Sequence, residues 1–585
     1  MGASHAALKS DAHALAVQTA GLIAHGFERY HREFLQVTGR AKRRFERRDW
    51  TGGQADARER LELYGRVIDE LVAELRALLG PRAQDGALWS AIRAEHSQSV
   101  VGHPAAEIAE TFFNSVTRRL FHTVGTNPAI EYLDFRFERV PGPLAASPCR
   151  KFPAQPDAAA AVRALLAEYA FAAPWADLER DAALAGGEIE RAWAAGEAPL
   201  SYEDLEVLQP VFYRRKGAYL VGRVRGGNRV MPVVLALVHG PEGVAVDAVL
   251  LTETDVSIVF SFTRSHFLAE VGRPAETIAF LGSLMPVKPV GELYTALGFH
   301  KHGKTEFYRD LQRHLSRTAE RFVRAPGARG MVMEVFTLPG FDVVFKVIRD
   351  VFAPPKQTTA DEVKRRYEMV FAHDRAGRLV DAQAFEGLSF PKARFSHSLL
   401  AELLESASRS VRVEGDAVVI GHVYAERRVR PLDLYLENAD EPAALRAALD
   451  YGRTIRDLAA TGIFPGDLLL KNFGVTRHGR IVFYDYDELR LLGECRFRDF
   501  PEPRTPEEEL ADEPWFAVGP ADVFPEELAR FVPFNGAIRD AFLAVHGRLY
   551  DTSWWHAMQA NVAAGELEDI FPYGEERRLP TRGAG

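Results

Sequence analysis

In the last third of the chain an aspartate and an asparagine stand five residues apart, Asp467 and Asn472 in Phe464-Pro465-Gly466-Asp467-Leu468-Leu469-Leu470-Lys471-Asn472. A second aspartate, Asp485, follows the asparagine by 485 − 472 = 13 residues. Between them, Asn472–Val475 and Arg480–Tyr484 read as two short strands around Arg477-His478-Gly479. A hairpin of that length brings the chain back to its starting point, so an amide and a carboxylate meet at its open end. Acidic residues at strand ends are more often turn caps than ligands. The restriction comes from the order in which several such pieces occur.

Two of them lie upstream. The loop Ala325, Pro326, Gly327, Ala328, Arg329, Gly330, Met331 leads into a strand–turn–strand unit, Met331–Thr337 and Phe341–Ile348 around Leu338-Pro339-Gly340. Lys346 stands on the second strand, 346 − 330 = 16 residues after Gly330, which allows one strand, a turn and part of the next. It can then point back under the loop. Two glycines alone make a plain turn, and an edge lysine commonly snorkels. Among Val344, Phe345 and Val347, however, an unpaired ammonium is costly. Phosphoryl transfer from ATP needs these parts in this order: a glycine-containing loop over the phosphates, a lysine on their oxygens, an aspartate for the proton of the attacking hydroxyl, and an asparagine and aspartate on Mg²⁺. The expected roles are ATP binding for Ala325–Met331 and Lys346, catalysis for Asp467, and metal binding for Asn472 and Asp485. Pro465-Gly466 stands where His-Arg commonly precedes the catalytic aspartate, Tyr486 and Asp487 replace Phe and Gly after the metal aspartate, the loop is not G-x-G-x-x-G, and there is no A-P-E segment. Regulation through an activation-loop phosphosite is therefore not expected.

At 585 residues the chain exceeds a single core. The first 140 residues read as helices: Leu61, Tyr64, Ile68, Leu71, Leu75 and Leu78 form one apolar face ending near Gly80, and Ala106–Phe121 repeats the pattern. From Pro210 the pattern becomes Gly217–Val224, Arg229–Val238, Val244–Leu251 and Val256–Phe262, an antiparallel meander with turns at Gly226-Gly227-Asn228 and Gly240-Pro241-Glu242-Gly243. A helical stretch, Glu292–Arg321, carries the basic run His300-Lys301-His302-Gly303-Lys304. Further on come a helix from Thr359, a strand at Ala417–Ala425, a helix at Glu441–Ala460 closed by Gly462, an exposed loop at Pro501–Glu513, and a helical tail to about residue 570. The expected class is α+β. A mainly helical domain with a β meander spans residues 1–315, with strands at about 215–262. A bilobal kinase-like domain spans 316–585, with its N-lobe at about 316–425 and its C-lobe at about 426–585. The strand at Ala417 runs toward the junction of the lobes, so adenine is expected near Tyr424, Ala425 and Glu426. Lys+Arg 72 against Asp+Glu 81 gives net charge −9, which argues against non-specific nucleic-acid binding. Two cysteines make neither a disulfide framework nor a zinc cluster, and no apolar run reaches the length of a membrane helix. Met1–Asp11 lacks the apolar core of a signal peptide. A cytoplasmic protein is expected.

Longer motifs point further. Leu297-Gly298-Phe299-His300-Lys301-His302-Gly303-Lys304-Thr305-Glu306, the loop Ala325–Met331, Phe464-Pro465-Gly466-Asp467, Lys471–Gly479, Tyr484-Asp485-Tyr486-Asp487-Glu488 and Asp522–Glu527 resemble the bacterial isocitrate dehydrogenase kinase/phosphatase family. So do Asn114-Ser115-Val116 and His122-Thr123-Val124-Gly125, so the likeness runs over nearly the whole chain. The resemblance implies an N-terminal regulatory domain and a C-terminal kinase-like domain. It implies reversible phosphorylation of a serine in NADP-dependent isocitrate dehydrogenase, which sends isocitrate to the glyoxylate bypass. It also implies one nucleotide site for both activities, a phosphatase that needs adenine nucleotide and Mg²⁺, and AMP as a regulator favouring dephosphorylation. By resemblance alone, Asp381 is the acidic residue of the phosphatase; on its own it reads as a charged residue after a helix. Asp487 is a second phosphatase candidate, since on a strand it would share a face with Asp485. A homodimer is left open. Two other readings compete: a nucleotide-binding pseudokinase scaffold, and a small-molecule kinase of aminoglycoside-phosphotransferase type.

Overall fold

The computed structural model describes residues 2–133, 148–153, 157–195, 203–261, 267–327, 329–353, 358–373, 376–502, 505, 516–531, 534–566 and 568–580, with backbone only at 2–10, 371–373 and 530–531. Among the described residues no helix is long and apolar enough to cross a membrane.

The first helices are α1 (Gly2–Glu46), α2 (Trp50–Leu79), α3 (Gly86–Ser99) and α4 (Ala106–Phe121). The stripe read from Leu61 onward is their contact face: Tyr64, Ile68, Leu71 and Leu75 pack with Phe27, Phe34, Phe112 and Phe113 in one core. Asp49 caps α2 by accepting from the Gly52 amide, and Gly80 closes it at φ 52°.

The meander is a six-stranded sheet of β1 (Cys149–Pro153), β2 (Asp204–Leu208), β3 (Phe212–Arg214), β4 (Gly217–Gly226), β5 (Arg229–Gly240) and β6 (Gly243–Leu250), in order β1-β2-β4-β5-β6 with β3 on β4. It is covered on both faces. Tyr219, Val221, Val234 and Ala236 enter the core of α1–α4, while Ala218, Leu220, Val233 and Leu235 pack against α5 (Ala158–Glu168) and α6 (Leu178–Ala194). Period-two alternation with both faces buried gives the near-continuous apolar runs of β4 and β5. One expected strand is not there. Val256–Phe262 falls on α7 (Glu253–Val259), and Phe262 lies outside the described residues. The Thr252 side chain accepts from the Asp255 amide, with Glu253 and Asp255 in the first turn, so the N-cap outweighs the β-branched composition. The stretch expected as one helix from Glu292 is divided into α9 (Val290–Ala296) and α10 (His300–Arg317), preceded by α8 (Pro274–Leu284). The break is at Gly298, whose φ of 93° no helix continues through.

A second six-stranded sheet follows, with β7 (Val323–Arg324), β8 (Met333–Leu338), β9 (Phe341–Ile348), β10 (Ala382–Pro391), β11 (Val411–Glu414) and β12 (Ala417–Arg427) in order β10-β12-β9-β8-β7, β11 pairing with β12. One face, with Phe336, Phe345, Phe385 and Val423, packs on Leu311 and Leu315 of α10 and on Leu399 and Leu403 of α12 (His397–Ser406). The other face, with Met333, Ile348, Ala382 and Tyr424, joins α11 (Ala360–His373) and the helical lobe beyond. Past β12 and the short β13 (Arg430–Pro431) come α13 (Leu432–Leu436) and α14 (Glu441–Ala460), then β14 (Ile463–Phe464), β15 (Phe473–Val475), β16 (Ile481–Phe483) and β17 (Arg490–Leu491). Helices at Gly536–His546 and Thr552–Ala563 complete this lobe. Residues 568–580 return to the first sheet, where the Tyr573 hydroxyl donates to Asp247 (2.8 Å) and Arg578 pairs with the same carboxylate (2.7 Å). Of the expected loop Pro501–Glu513, only residues 501, 502 and 505 are described.

Candidate active site

The hairpin of β15 and β16 pairs Phe473 with Phe483. The Tyr484 amide extends the ladder by donating to the Asn472 carbonyl (3.1 Å). Asn472 and Asp485 therefore flank the same open end. The Asn472 amide nitrogen donates to the carbonyl of Asp467 (3.4 Å), which leaves its side-chain oxygen for a cation. Hard cations such as Mg²⁺ take oxygen ligands, so this donor set fits one.

Asp467 enters from β14, whose Phe464 pairs with Arg490 of β17 just past the hairpin. Between them Gly466 holds φ 85°, and a Cβ there would meet Glu488 at 2.6 Å from its Cβ and 2.8 Å from its carbonyl carbon. A side chain at this position would separate the two loops, which accounts for a glycine directly before Asp467 where an arginine is common. The Asp467 carboxylate accepts from the Leu469 amide (3.0 Å), and the Tyr451 hydroxyl donates to the Leu468 carbonyl (2.6 Å). Asp467 is half-buried, and burial pushes its carboxyl above the ordinary aspartate range against the opposing Leu469 hydrogen bond.

Lys346 is buried on the sheet face that meets this lobe. Its ammonium donates to the Tyr484 carbonyl (2.8 Å), one residue before Asp485, and pairs with Glu426 of β12 (2.8 Å). An ammonium has three protons, so a third remains for a phosphate oxygen. Glu426 also accepts from the Tyr367 hydroxyl of α11 (3.1 Å), and burial raises its carboxyl while Lys346 opposes. The glycine-containing loop bridges β7 and β8. The Ala325 amide donates to Val335 (3.0 Å), Val335 faces Lys346 across the ladder, and Arg329 pairs with Glu402 (3.2 Å). Gly327 sits at φ 110°, and a Cβ there would have nothing within 4 Å, while a Cβ on Gly330 would come 2.7 Å from the Met333 carbonyl oxygen. Open space at one glycine and a tight turn at the other suit a cover for phosphates. Ala328 lies outside the described residues, and Met331 is partly exposed ahead of β8, which begins at Met333 rather than Met331.

Asp381 reaches the same region by a crossing that spacing does not reveal. Leu379 forms a parallel bridge with Phe483, and the Val380 amide donates to the Phe483 carbonyl (3.1 Å), so Asp381 emerges beside the Tyr484–Asp485 end of the hairpin. The Tyr486 hydroxyl donates to the Val380 carbonyl (2.5 Å). Arg378 anchors the crossing. It is buried, pairs with Asp450 (2.9 Å) and Asp457 (2.7 Å), and donates to the Ile481 carbonyl (3.0 Å). Gln383 donates to the Asp381 carboxylate (2.9 Å).

Family models match residues 20–575 of this architecture. That of the isocitrate dehydrogenase kinase/phosphatase (AceK), regulatory domain, covers residues 20–319, and that of the kinase domain covers residues 320–575. A curated isocitrate dehydrogenase kinase/phosphatase of Anaeromyxobacter sp. (strain Fw109-5) is 53% identical over 568 residues, 97% of this chain and 98% of that protein. One from Xanthomonas euvesicatoria pv. vesicatoria (strain 85-10) is 44% identical over 98% of this chain and 100% of its own length. The chain belongs to the isocitrate dehydrogenase kinase/phosphatase family. Its fold is accordingly a helical regulatory domain followed by a kinase-like domain, α+β overall.

Two expectations about this family site change in detail. Past Phe483 the chain is not a strand. The Leu489 amide donates to the Tyr486 carbonyl (3.3 Å) and closes a turn, so alternation does not put Asp485 and Asp487 on one face. Asp487 is buried and Asp485 half-buried. Tyr424, Ala425 and Glu426 lie inside the sheet, paired with β9 on one side and β10 on the other. Their backbone groups belong to ladders, and chain outside both ladders begins past Arg427. Sequence reasoning missed Tyr367, Arg378 and Gln383, and it missed the job of Glu426 as partner to Lys346. A buried lysine needing a carboxylate was the available signal, but the acidic candidates nearby in sequence carry no mark of which one pairs. Asp381, Gln383, Glu426 and Arg427 also line a cavity of about 340 Å³ together with Glu292 and Thr295 of α9.

Proposed function

We propose that this chain phosphorylates and dephosphorylates a serine of NADP-dependent isocitrate dehydrogenase, at one ATP/Mg²⁺ site, and so sets flux between the tricarboxylic acid cycle and the glyoxylate bypass. The observation that carries this is the contact of the Lys346 ammonium with Tyr484, which joins the lysine of one lobe to the Asp485–Asn472–Asp467 cluster of the other. The curated relatives carry the name of that activity over nearly the full chain.

ATP supplies the phosphoryl group and Mg²⁺ the charge that offsets its oxygens. Lys346 holds phosphate oxygens under the loop Ala325–Met331, Asn472 and Asp485 hold the cation, and Asp467 orients the serine hydroxyl and takes its proton. Adenine lies toward Tyr424, Ala425 and Glu426, meeting backbone where the chain leaves the sheet past Arg427. In the reverse direction a carboxylate orients water toward phosphorus, with Asp381 as the first candidate and Asp487 as the second. AMP or ADP supports the phosphatase, AMP regulates the balance, the protein works in the cytoplasm, and a homodimer is compatible with this reading. The regulatory domain ends near residue 315, with the N-lobe running to about 425. Incubation with isocitrate dehydrogenase, Mg²⁺ and labelled ATP, then removal of ATP and addition of ADP or AMP, tests the proposal. Label should enter the dehydrogenase and then leave it. A chain that binds ATP without transferring label would be a pseudokinase scaffold.

A further inference from the structure

In ATP-dependent protein kinases the phosphate-holding lysine is set by a glutamate on the helix that follows its strand. The helix in that position here is α11, which carries Asp361, Glu362 and Glu368. Asp361 and Glu368 are exposed, and Glu362 is engaged by Thr358 (3.1 Å) and Arg366 (3.3 Å). Among the described residues the carboxylate that meets Lys346 is on β12 instead. Glu426 lies 2.8 Å away, with side-chain exposures of 8% for the lysine and 1% for the glutamate, so the pair is shielded from solvent and salt. The register explains it. Lys346 is directly opposite Tyr424, and Glu426 two residues on is the diagonal neighbour on the same face, within reach of a long side chain. The helix contributes Tyr367, whose hydroxyl donates to the other oxygen of Glu426 (3.1 Å) and whose ring stacks on Tyr424 at 3.7 Å between centroids.

We propose that Glu426 is the positioning residue for Lys346, so that the phosphate-holding ammonium is set by a fixed strand-to-strand ion pair and not by a movable helix. This rests on the reading of Lys346 as the nucleotide lysine. A glutamate carried by a helix can be withdrawn when the helix shifts, which switches the site off. The backbone of Glu426 cannot shift relative to Lys346 without breaking the four β9–β12 pairs from Tyr424↔Lys346 to Arg427↔Val343, and its carboxylate is held in place by the lysine and by the Tyr367 hydroxyl. Control of such an enzyme cannot run through displacement of α11 carrying an acid away from the lysine. It must act elsewhere, on the closure of the lobes or on access to the site.

The test uses the full-length protein, ATP titration by a fluorescent ATP analogue, and initial rates of isocitrate dehydrogenase phosphorylation at varied ATP. Glu426→Gln preserves shape and the Tyr367 hydrogen bond but removes the charge. It should lower kcat/KM for ATP by about 10- to 100-fold. The decisive readout is non-additivity. If Glu426 acts through the lysine, the double variant Lys346→Met/Glu426→Gln is no slower than Lys346→Met alone, and Glu368→Ala on α11 stays near the parent rate. Losses that multiply in the double variant, a parent-like Glu426→Gln, or a crippled Glu368→Ala would each overturn the proposal. Lys346→Met with unchanged rate and ATP affinity would overturn the nucleotide-site reading itself and the proposal with it. Should Glu426→Gln fail to fold, Tyr367→Phe carries the same cycle, with a smaller loss expected alone and none added to Lys346→Met; a multiplying loss there refutes it equally.

Discussion

Gly466→Ala probes the joint between the proposed catalytic and metal segments. The backbone at Gly466 holds φ 85°, and a Cβ would stand 2.6 Å from the Cβ of Glu488, with the Glu488 carbonyl carbon at 2.8 Å and its oxygen closer still. The left-handed conformation alone costs alanine about 1–2 kcal/mol. Ordinary contact begins at 3.4 Å, so the two segments must separate by about 0.8 Å (3.4 − 2.6) even if only the Cβ atoms are considered. Glu488 follows Asp487 and sits three residues past Asp485, while Gly466 directly precedes Asp467. The displacement therefore falls between Asp467 and the segment that carries Asp485. A misplacement of about 1 Å at reacting groups lowers rates about 100-fold. Phosphorylation of isocitrate dehydrogenase by Gly466→Ala should fall by about that factor, while ATP affinity, which the proposed function assigns to Lys346 and the glycine-containing loop, should change little. Asparagine tolerates the left-handed conformation but carries the same Cβ, so Gly466→Asn should be equally slow. A parent-like rate for the alanine variant would show that the Glu488 contact does not set Asp467. Rescue by asparagine would mean that dihedral strain, not the clash, was responsible.

Asp467→Ala should abolish phosphorylation while ATP still binds, and because burial raises the Asp467 carboxyl, the acid limb of the kinase pH–rate profile should lie above the ordinary aspartate range, the base being protonated and lost below it; near-normal phosphorylation by this variant would refute the role. Lys346→Met should weaken kinase and phosphatase together in rate assays on one preparation, and a phosphatase retaining full nucleotide dependence would require a second nucleotide site. Asp381→Ala or Asp487→Ala should depress the phosphatase far more than the kinase, whereas equal losses would mean that these residues hold the nucleotide or the fold. Glu292 pairs with buried Lys288 (3.2 Å) and with Arg427 (3.0 Å) at the end of β12, so Glu292→Ala should lower unfolding stability by about 1–2 kcal/mol after discounting for its half-exposed carboxylate, and an unchanged denaturation midpoint would refute that coupling.

What local chemistry governs was legible in the sequence. The stripe from Leu61, the helices Ala106–Phe121 and Glu441–Ala460, the strands β4 to β6 and β9, and the hairpin joining Asn472 to Asp485 all follow from periodicity, turn residues and chain length between fixed points. The family was legible for the same reason, since its motifs are contiguous stretches of chain. Where the local signals conflicted, the reading failed: Val256–Phe262 looks like a strand by composition, but the Thr252 cap makes a helix. Only the tertiary structure decided which distant groups meet. The parallel bridge of Leu379 with Phe483 carries Asp381 to the hairpin, the β9–β12 register gives Lys346 its carboxylate from Glu426, and the turn at Tyr486 removes the shared face of Asp485 and Asp487. The physical reason is that periodicity reports which side of an element is buried but not what it is buried against. A buried charge demands a partner, and the identity of that partner is set by strand order and register across the lobes, which depend on the packing of the whole chain.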